Sequence, residues 1–101
     1  DDSLAKSLES SGREMGDYCW RLPLYEGYAG QLSSNFADMA NCGDGRGGGI
    51  SAGLFLQRFV GDTKWAHLDI YAWKDSPSGC YLEAGGNGQA VQMLGNFVSS
   101  L

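Results

Sequence analysis

Apolar positions along the chain fall into four stretches of helical period and one stretch that alternates. Leu4, Leu8 and Met15 recur at helical spacing. Either Asp2 or Ser3 is able to cap such a helix, which is predicted to run to about Glu14. Asp1 and Asp2 stand where the helix dipole favours negative charge, and Gly16-Asp17 ends the run. Tyr18–Leu22 reads as a short extended piece stopped by Pro23, because a residue before proline avoids the helical region. Tyr25, Tyr28, Ala29 and Leu32 predict a two-turn helix despite Gly27 and Gly30. Ser33 to Asp44 is rich in Ser, Asn, Asp and Gly, the composition of a loop.

From Gly47 the helical pattern is strongest. Ala52, Phe55, Leu56, Phe59 and Val60 share a face, and Ile50 with Leu54 widens it. Most of this helix is therefore expected to be buried, with Gly61 closing it. Lys64 to Trp73 then alternates. Ala66, Leu68, Ile70 and Ala72 lie on one face, and Trp65, His67, Asp69, Tyr71 and Trp73 on the other. Period two with aromatic residues marks a strand. Asp75 to Gly88 is a turn-rich loop. Asn87 is placed to cap a last helix with Ala90, Val91, Leu94, Phe97, Val98 and Leu101 as its apolar stripe.

The strand has no strong partner within the chain, Tyr18–Leu22 being the only candidate. A strand apolar on both faces belongs inside a sheet, so the expected fold is α/β: about four helices around one or two strands of a larger central sheet. Open strand edges favour self-pairing, which predicts a dimer or higher oligomer for the isolated chain. No repeat, proline-rich linker or charge run divides the 101 residues.

Charge narrows the function classes. Seven Lys and Arg stand against twelve Asp and Glu, a net −5. The basic residues are scattered, which disfavours nucleic acid and anionic membranes as partners. Three cysteines without a C-x-x-C spacing suit reduced thiols in a cytoplasmic protein better than a disulfide framework. The chain opens on Asp1-Asp2 and not on Met, as an excerpt of a longer protein would.

The candidate chemistry is thin. Gly43-Asp44-Gly45-Arg46-Gly47-Gly48 matches G-x-G-x-x-G before a helix, yet the preceding Phe36–Cys42 is not a strand and no nucleotide-binding βαβ unit is formed. These glycines are better read as letting a loop pass close to another backbone. His67 and Asp69 share a strand face, but no activated Ser or Cys motif accompanies them. Asp38, Asp44 and Asp69 lack the clustered spacing of a metal site, which needs three or four converging ligands.

Several stretches in order resemble one family, the leucyl (cytosol) aminopeptidases. They are Gly16-Asp17 with Trp20-Arg21-Leu22-Pro23-Leu24, Ala37-Asp38 with Asn41, Gly43 to Gly49 running into Ser51-Ala52-Gly53-Leu54-Phe55-Leu56, and Phe59-Val60 with Trp65-Ala66-His67-Leu68-Asp69-Ile70. The likeness covers nearly the whole chain and looks like the C-terminal part of the catalytic domain, an incomplete domain spanning residues 1–101.

That resemblance implies a cytoplasmic, homohexameric exopeptidase that uses two divalent metal ions, zinc or manganese, to remove N-terminal amino acids from peptides. The family's metal ligands include the carboxylates of an N-T-D-A-E-G-R-L motif, which this sequence lacks. No catalytic residue or metal ligand is therefore carried over, and the isolated chain is expected to be inactive. Its partners are the remainder of the parent domain and a peptide substrate. The residues after the L-D-I strand wall the family's pocket for the substrate's N-terminal side chain. Here Tyr71 replaces the usual alanine, and Lys74 puts a charge where an apolar residue is common. Both are candidate pocket-wall residues, and plain strand packing of Tyr71 and Trp73 is the alternative. A non-catalytic binding or assembly module that kept the aminopeptidase end is the rival reading of the whole chain.

Overall fold

The structure is a computed structural model that describes residues 1–43 and 45–101. These form two compact units, Asp1–Arg21 with Leu68–Leu101, and Leu22–His67.

The first unit is built on two helices. Helix α1 spans Asp2–Met15. Its cap is Asp1, whose carboxylate accepts the Leu4 N–H at 2.8 Å, one position earlier than the sequence suggested. Gly16 ends the helix in the left-handed region at φ 69°, and the Asp17 N–H donates to the Gly12 carbonyl at 2.9 Å. This left-handed closure favours a residue without Cβ. Helix α3 spans Val91–Ser99 and packs against α1. Leu8, Ala90 and Met93 are buried between them, with Leu4, Cys19, Leu68 and Phe97 around the edge. The buried Ser11 hydroxyl donates to the Met93 carbonyl at 2.7 Å, and the Asn96 amide donates to Ser11 Oγ at 3.0 Å and to Glu14 at 3.1 Å. Arg21 pairs with Asp2 at the exposed end of α1. Its hydrogen-bonded guanidinium holds the Asp2 carboxyl below the ordinary value.

Asn87 does not cap α3. Ala90 occupies the cap position at φ 68°, and the capping side chain comes from Asp17. One carboxylate oxygen accepts the Ala90 N–H and the other the Met93 N–H, both at 3.1 Å. The Asn87 side chain accepts instead from the Gln89 N–H at 3.1 Å, a local turn of the kind Asn favours.

The sheet departs most from expectation. The alternating segment forms a ladder only at its end, where β1 (Trp73–Lys74) pairs antiparallel with β2 (Gly85–Gly86), Trp73 opposite Gly86 and Lys74 opposite Gly85. Residues 64–72 carry no strand, and neither do residues 18–22. The partner is drawn from the segment read as loop. A strand exists only through a neighbour's hydrogen bonds, and the described residues supply that neighbour to two positions alone.

In the second unit a 3-10 helix, Glu26–Leu32, packs on α2, Gly48–Val60. The tight turn brings the Tyr25 and Tyr28 rings edge to face, centroids 5.2 Å apart. The left-handed Gly47 starts α2 at φ 84°, and a Cβ there would lie 2.7 Å from the Tyr28 ring. Of α2 only Ser51, Gly53 and Leu54 are buried, fewer than its wide apolar arc predicts. The 3-10 helix is too short to cover Leu56 and Phe59, which stay exposed.

The fold is therefore α/β, with four helices and a two-stranded antiparallel sheet among the described residues. Among the described residues no helix is long and apolar enough to cross a membrane.

Candidate functional site

The two candidate wall residues flank the β1–β2 corner of the first unit. Ala72, between Tyr71 and Trp73, sits in the left-handed region at φ 56°, which costs a residue with a Cβ about 1–2 kcal/mol. The corner holds it there. Its N–H donates to the Gln89 side chain at 3.1 Å, and its carbonyl accepts the Asn87 N–H at 3.1 Å. The alternation predicted through Trp73 breaks at this residue.

Tyr71 is 72% exposed, and its hydroxyl donates to the Asp75 carboxylate at 3.2–3.3 Å. Lys74 is half-buried, with its Nζ 5.8 Å from the centre of the Tyr81 ring, a cation–π distance. The Tyr81 hydroxyl donates to the Asn87 carbonyl at 3.0 Å. The site thus presents an aromatic hydroxyl tied to a carboxylate, and a cation seated on a second aromatic ring. Each expected residue has its own partner from the following loop. Asp75 and Tyr81 were not singled out by sequence reasoning, although the Tyr71–Asp75 spacing of four was visible in it.

His67, in the second unit, is half-buried, with Nε2 enclosed and lacking a hydrogen-bond partner. Asp69, in the first unit, is exposed, as is Asp38. Asp44 lies outside the described residues. In the second unit Gln31, Leu32, Ser51 and Phe55 line a cavity of about 340 Å³. The Ser51 hydroxyl donates to Gln31 there at 3.1 Å. A Cβ on Gly45 would meet the end of the Gln31 side chain at 2.6 Å.

The catalytic domain of the cytosol aminopeptidase family matches residues 1–95. This chain belongs to that family. It is 48% identical over 100 residues to a probable cytosol aminopeptidase of Variovorax paradoxus, covering 97% of this chain and 19% of that protein. It is 50% identical to one from an Acidovorax species, again covering 97% of this chain and 19% of the relative. The crystal structure of a cytosol aminopeptidase from Coxiella burnetii superposes with a TM-score of 0.87 at 36% identity, over 99% of this chain and 22% of that one. The chain thus spans about a fifth of the length of the curated relatives it matches.

The metal ions that the family resemblance implies are not served by the cytosol aminopeptidase residues described here. Among them no three His, Cys, Asp or Glu side chains converge in a way that could hold a metal ion.

Proposed function

We propose that this chain is the C-terminal segment of the catalytic domain of a cytoplasmic, metal-dependent aminopeptidase that removes N-terminal amino acids from peptides. The observation that carries the reading is the family match over residues 1–95, supported by a superposition that occupies 22% of a solved family member. Two divalent ions, zinc or manganese, are held by residues outside this segment and supply the Lewis acid of the hydrolysis. The parent assembles as a homohexamer.

Within that protein the segment supplies shape and charge. The β1–β2 corner contributes Tyr71 and Lys74 to the wall of the pocket for the substrate's N-terminal side chain. The constrained Ala72 fixes the direction in which the chain carries them. A bulky phenol and an ammonium narrow the pocket and favour side chains other than leucine.

The test has two parts. The purified chain, given Mn²⁺ or Zn²⁺, is expected to leave leucine-4-nitroanilide intact and to hold no metal after dialysis. Turnover with stoichiometric metal would overturn the assignment of ligands to sequence elsewhere. The chain is also exchanged for the matching segment of the Coxiella burnetii enzyme. Peptidase activity in that chimera supports the placement, and a folded but inactive chimera rejects it.

A further inference from the structure

Helix α3 carries a wider apolar arc than α1 covers. Ala90, Met93 and Phe97 face α1 and its neighbours in the core. Beside them Val91, Leu94, Val98 and, past the helix end, Leu101 continue the arc, and they are 61%, 38%, 62% and 89% exposed. Residues 91–99 contain no charged side chain at all. The opposite holds for α1, whose exposed positions include Asp2, Lys6, Arg13 and Glu14. A helix that faces water carries charge on its outer side. By that criterion α1 is finished as a surface helix and α3 is not.

We propose that the uncovered half of this arc, Val91, Leu94 and Val98, is the docking surface for the rest of the catalytic domain. The inference rests on the reading that the chain is one segment of a longer aminopeptidase. The solved family member over which this chain superposes has most of its length outside the matched part, since the match covers 22% of it. That length is ample to lay an apolar layer on α3. A second copy of this chain is the weaker occupant. One short stripe on each of two copies falls short of the roughly 1,200 Å² that a stable interface buries.

Three versions of the Coxiella burnetii chimera decide the matter: the unaltered segment, Leu94→Glu with Val98→Glu, and Gln92→Glu on the polar side of the same helix. The isolated 101-residue chain is prepared in the first two versions. The expected result is that the double substitution lowers the yield of folded, active chimera at least about tenfold, because each buried aliphatic side chain is worth a factor of that order. Gln92→Glu leaves the yield unchanged, and the isolated double variant keeps its wild-type circular dichroism because the altered side chains already face water there. A double-substituted chimera that folds and works like the unaltered one overturns the proposal. So does loss of helix in the isolated double variant, which would make the stripe internal to its own unit. Self-association of the isolated chain that the double variant abolishes, with the chimera indifferent, assigns the surface to a second copy instead. An unaltered chimera that folds but lacks activity removes the proposed function itself, while its dependence on Leu94 and Val98 for folding still reports on the docking surface.

Discussion

The Asp17 carboxylate caps α3 by accepting the Met93 N–H at 3.1 Å, although the two residues lie 76 positions apart. Its other oxygen takes the Ala90 N–H. The residue just after the Gly16 stop of α1 therefore also begins α3: its backbone N–H closes the first helix on the Gly12 carbonyl, and its side chain caps the last one. Removing a capping side chain costs about 1–2 kcal/mol. Asp17→Ala is expected to lower stability by that amount, and Asp17→Asn, which keeps one acceptor oxygen, by less. Urea unfolding followed by circular dichroism measures both, and equal stability of all three proteins would refute the cap.

Ser11 reinforces the same junction from inside. It is buried, donates to the Met93 carbonyl and accepts from Asn96. The Met93 carbonyl sits within α3, where the helix offers it a second partner, so Ser11→Ala should cost about 1 kcal/mol and not the larger penalty of an orphaned group. Ser11→Ala and Asn96→Ala share one hydrogen bond, and their combined effect should fall short of the sum by about 0.5 kcal/mol or more. A double-mutant cycle in urea reads that shortfall directly.

Two helical glycines should answer to alanine with opposite signs. Alanine is worth about 1 kcal/mol over glycine within a helix. A Cβ on Gly12 would lie 2.7 Å from the Asp17 carbonyl oxygen. That atom is backbone, fixed by the turn that closes α1, and the clash outweighs the gain. A Cβ on Gly53 meets the Leu24 Cδ2 at the same 2.7 Å, but this is the end of a half-exposed side chain that is free to turn away. Gly12→Ala should lower the thermal midpoint, and Gly53→Ala should hold or raise it.

Cys19 supplies the pH dependence. Its thiol is pushed above the ordinary value by burial first, and then by the nearby negative charges of Glu9 and Asp17. The folded state thus holds this proton more tightly than the unfolded chain. The resulting stability is fully present below the thiol's unfolded pKa and is lost as pH rises through the folded one. Cys42 and Cys80 are exposed. Alkylation with iodoacetamide at mildly alkaline pH, read by mass spectrometry, should label Cys19 last, because the thiolate is the reacting species. Labelling of Cys19 ahead of both others would contradict its burial.

How far the sequence can be read follows the range of the forces involved. Helical periodicity is local, so Leu4 and Leu8, the arc of α2 and the stripe of α3 each mark their helix without knowledge of the rest. The α3 cap is not local. Nothing near Ala90 points to Asp17, whereas Asn87 stands at a plausible distance and is engaged in its own turn. The strand predicted for residues 64–73 carries the right alternation, but a ladder depends on a neighbour, and β2 is two glycines whose sequence has no strand character. α2 buries less than its pattern predicts for a related reason: the 3-10 helix packed on it is short and leaves Leu56 and Phe59 exposed. The candidate site was legible only through the family resemblance. Composition and spacing single out neither Tyr71 nor Lys74, and their partners Asp75 and Tyr81 come from a loop whose pattern signals only turns.

Lys74 offers the sharpest functional prediction. Its ammonium lies over the Tyr81 ring, at the corner that also carries Tyr71. If this corner walls the substrate pocket, the charge acts on whatever side chain the substrate presents. One unit charge a few ångströms away in a partly solvated site is worth about 1 kcal/mol or somewhat more, or roughly five- to tenfold in kcat/KM. In the chimera, Lys74→Gln should therefore lower the preference for an N-terminal glutamate over leucine by that factor, and raise the relative rate on an N-terminal lysine. Tyr71→Ala should widen the pocket without regard to charge, improving the larger apolar side chains most. Comparing kcat/KM for glutamyl, leucyl and lysyl 4-nitroanilides separates the two effects. Ratios unchanged by Lys74→Gln would place Lys74 away from the substrate and leave its contact with Tyr81 as a purely structural one.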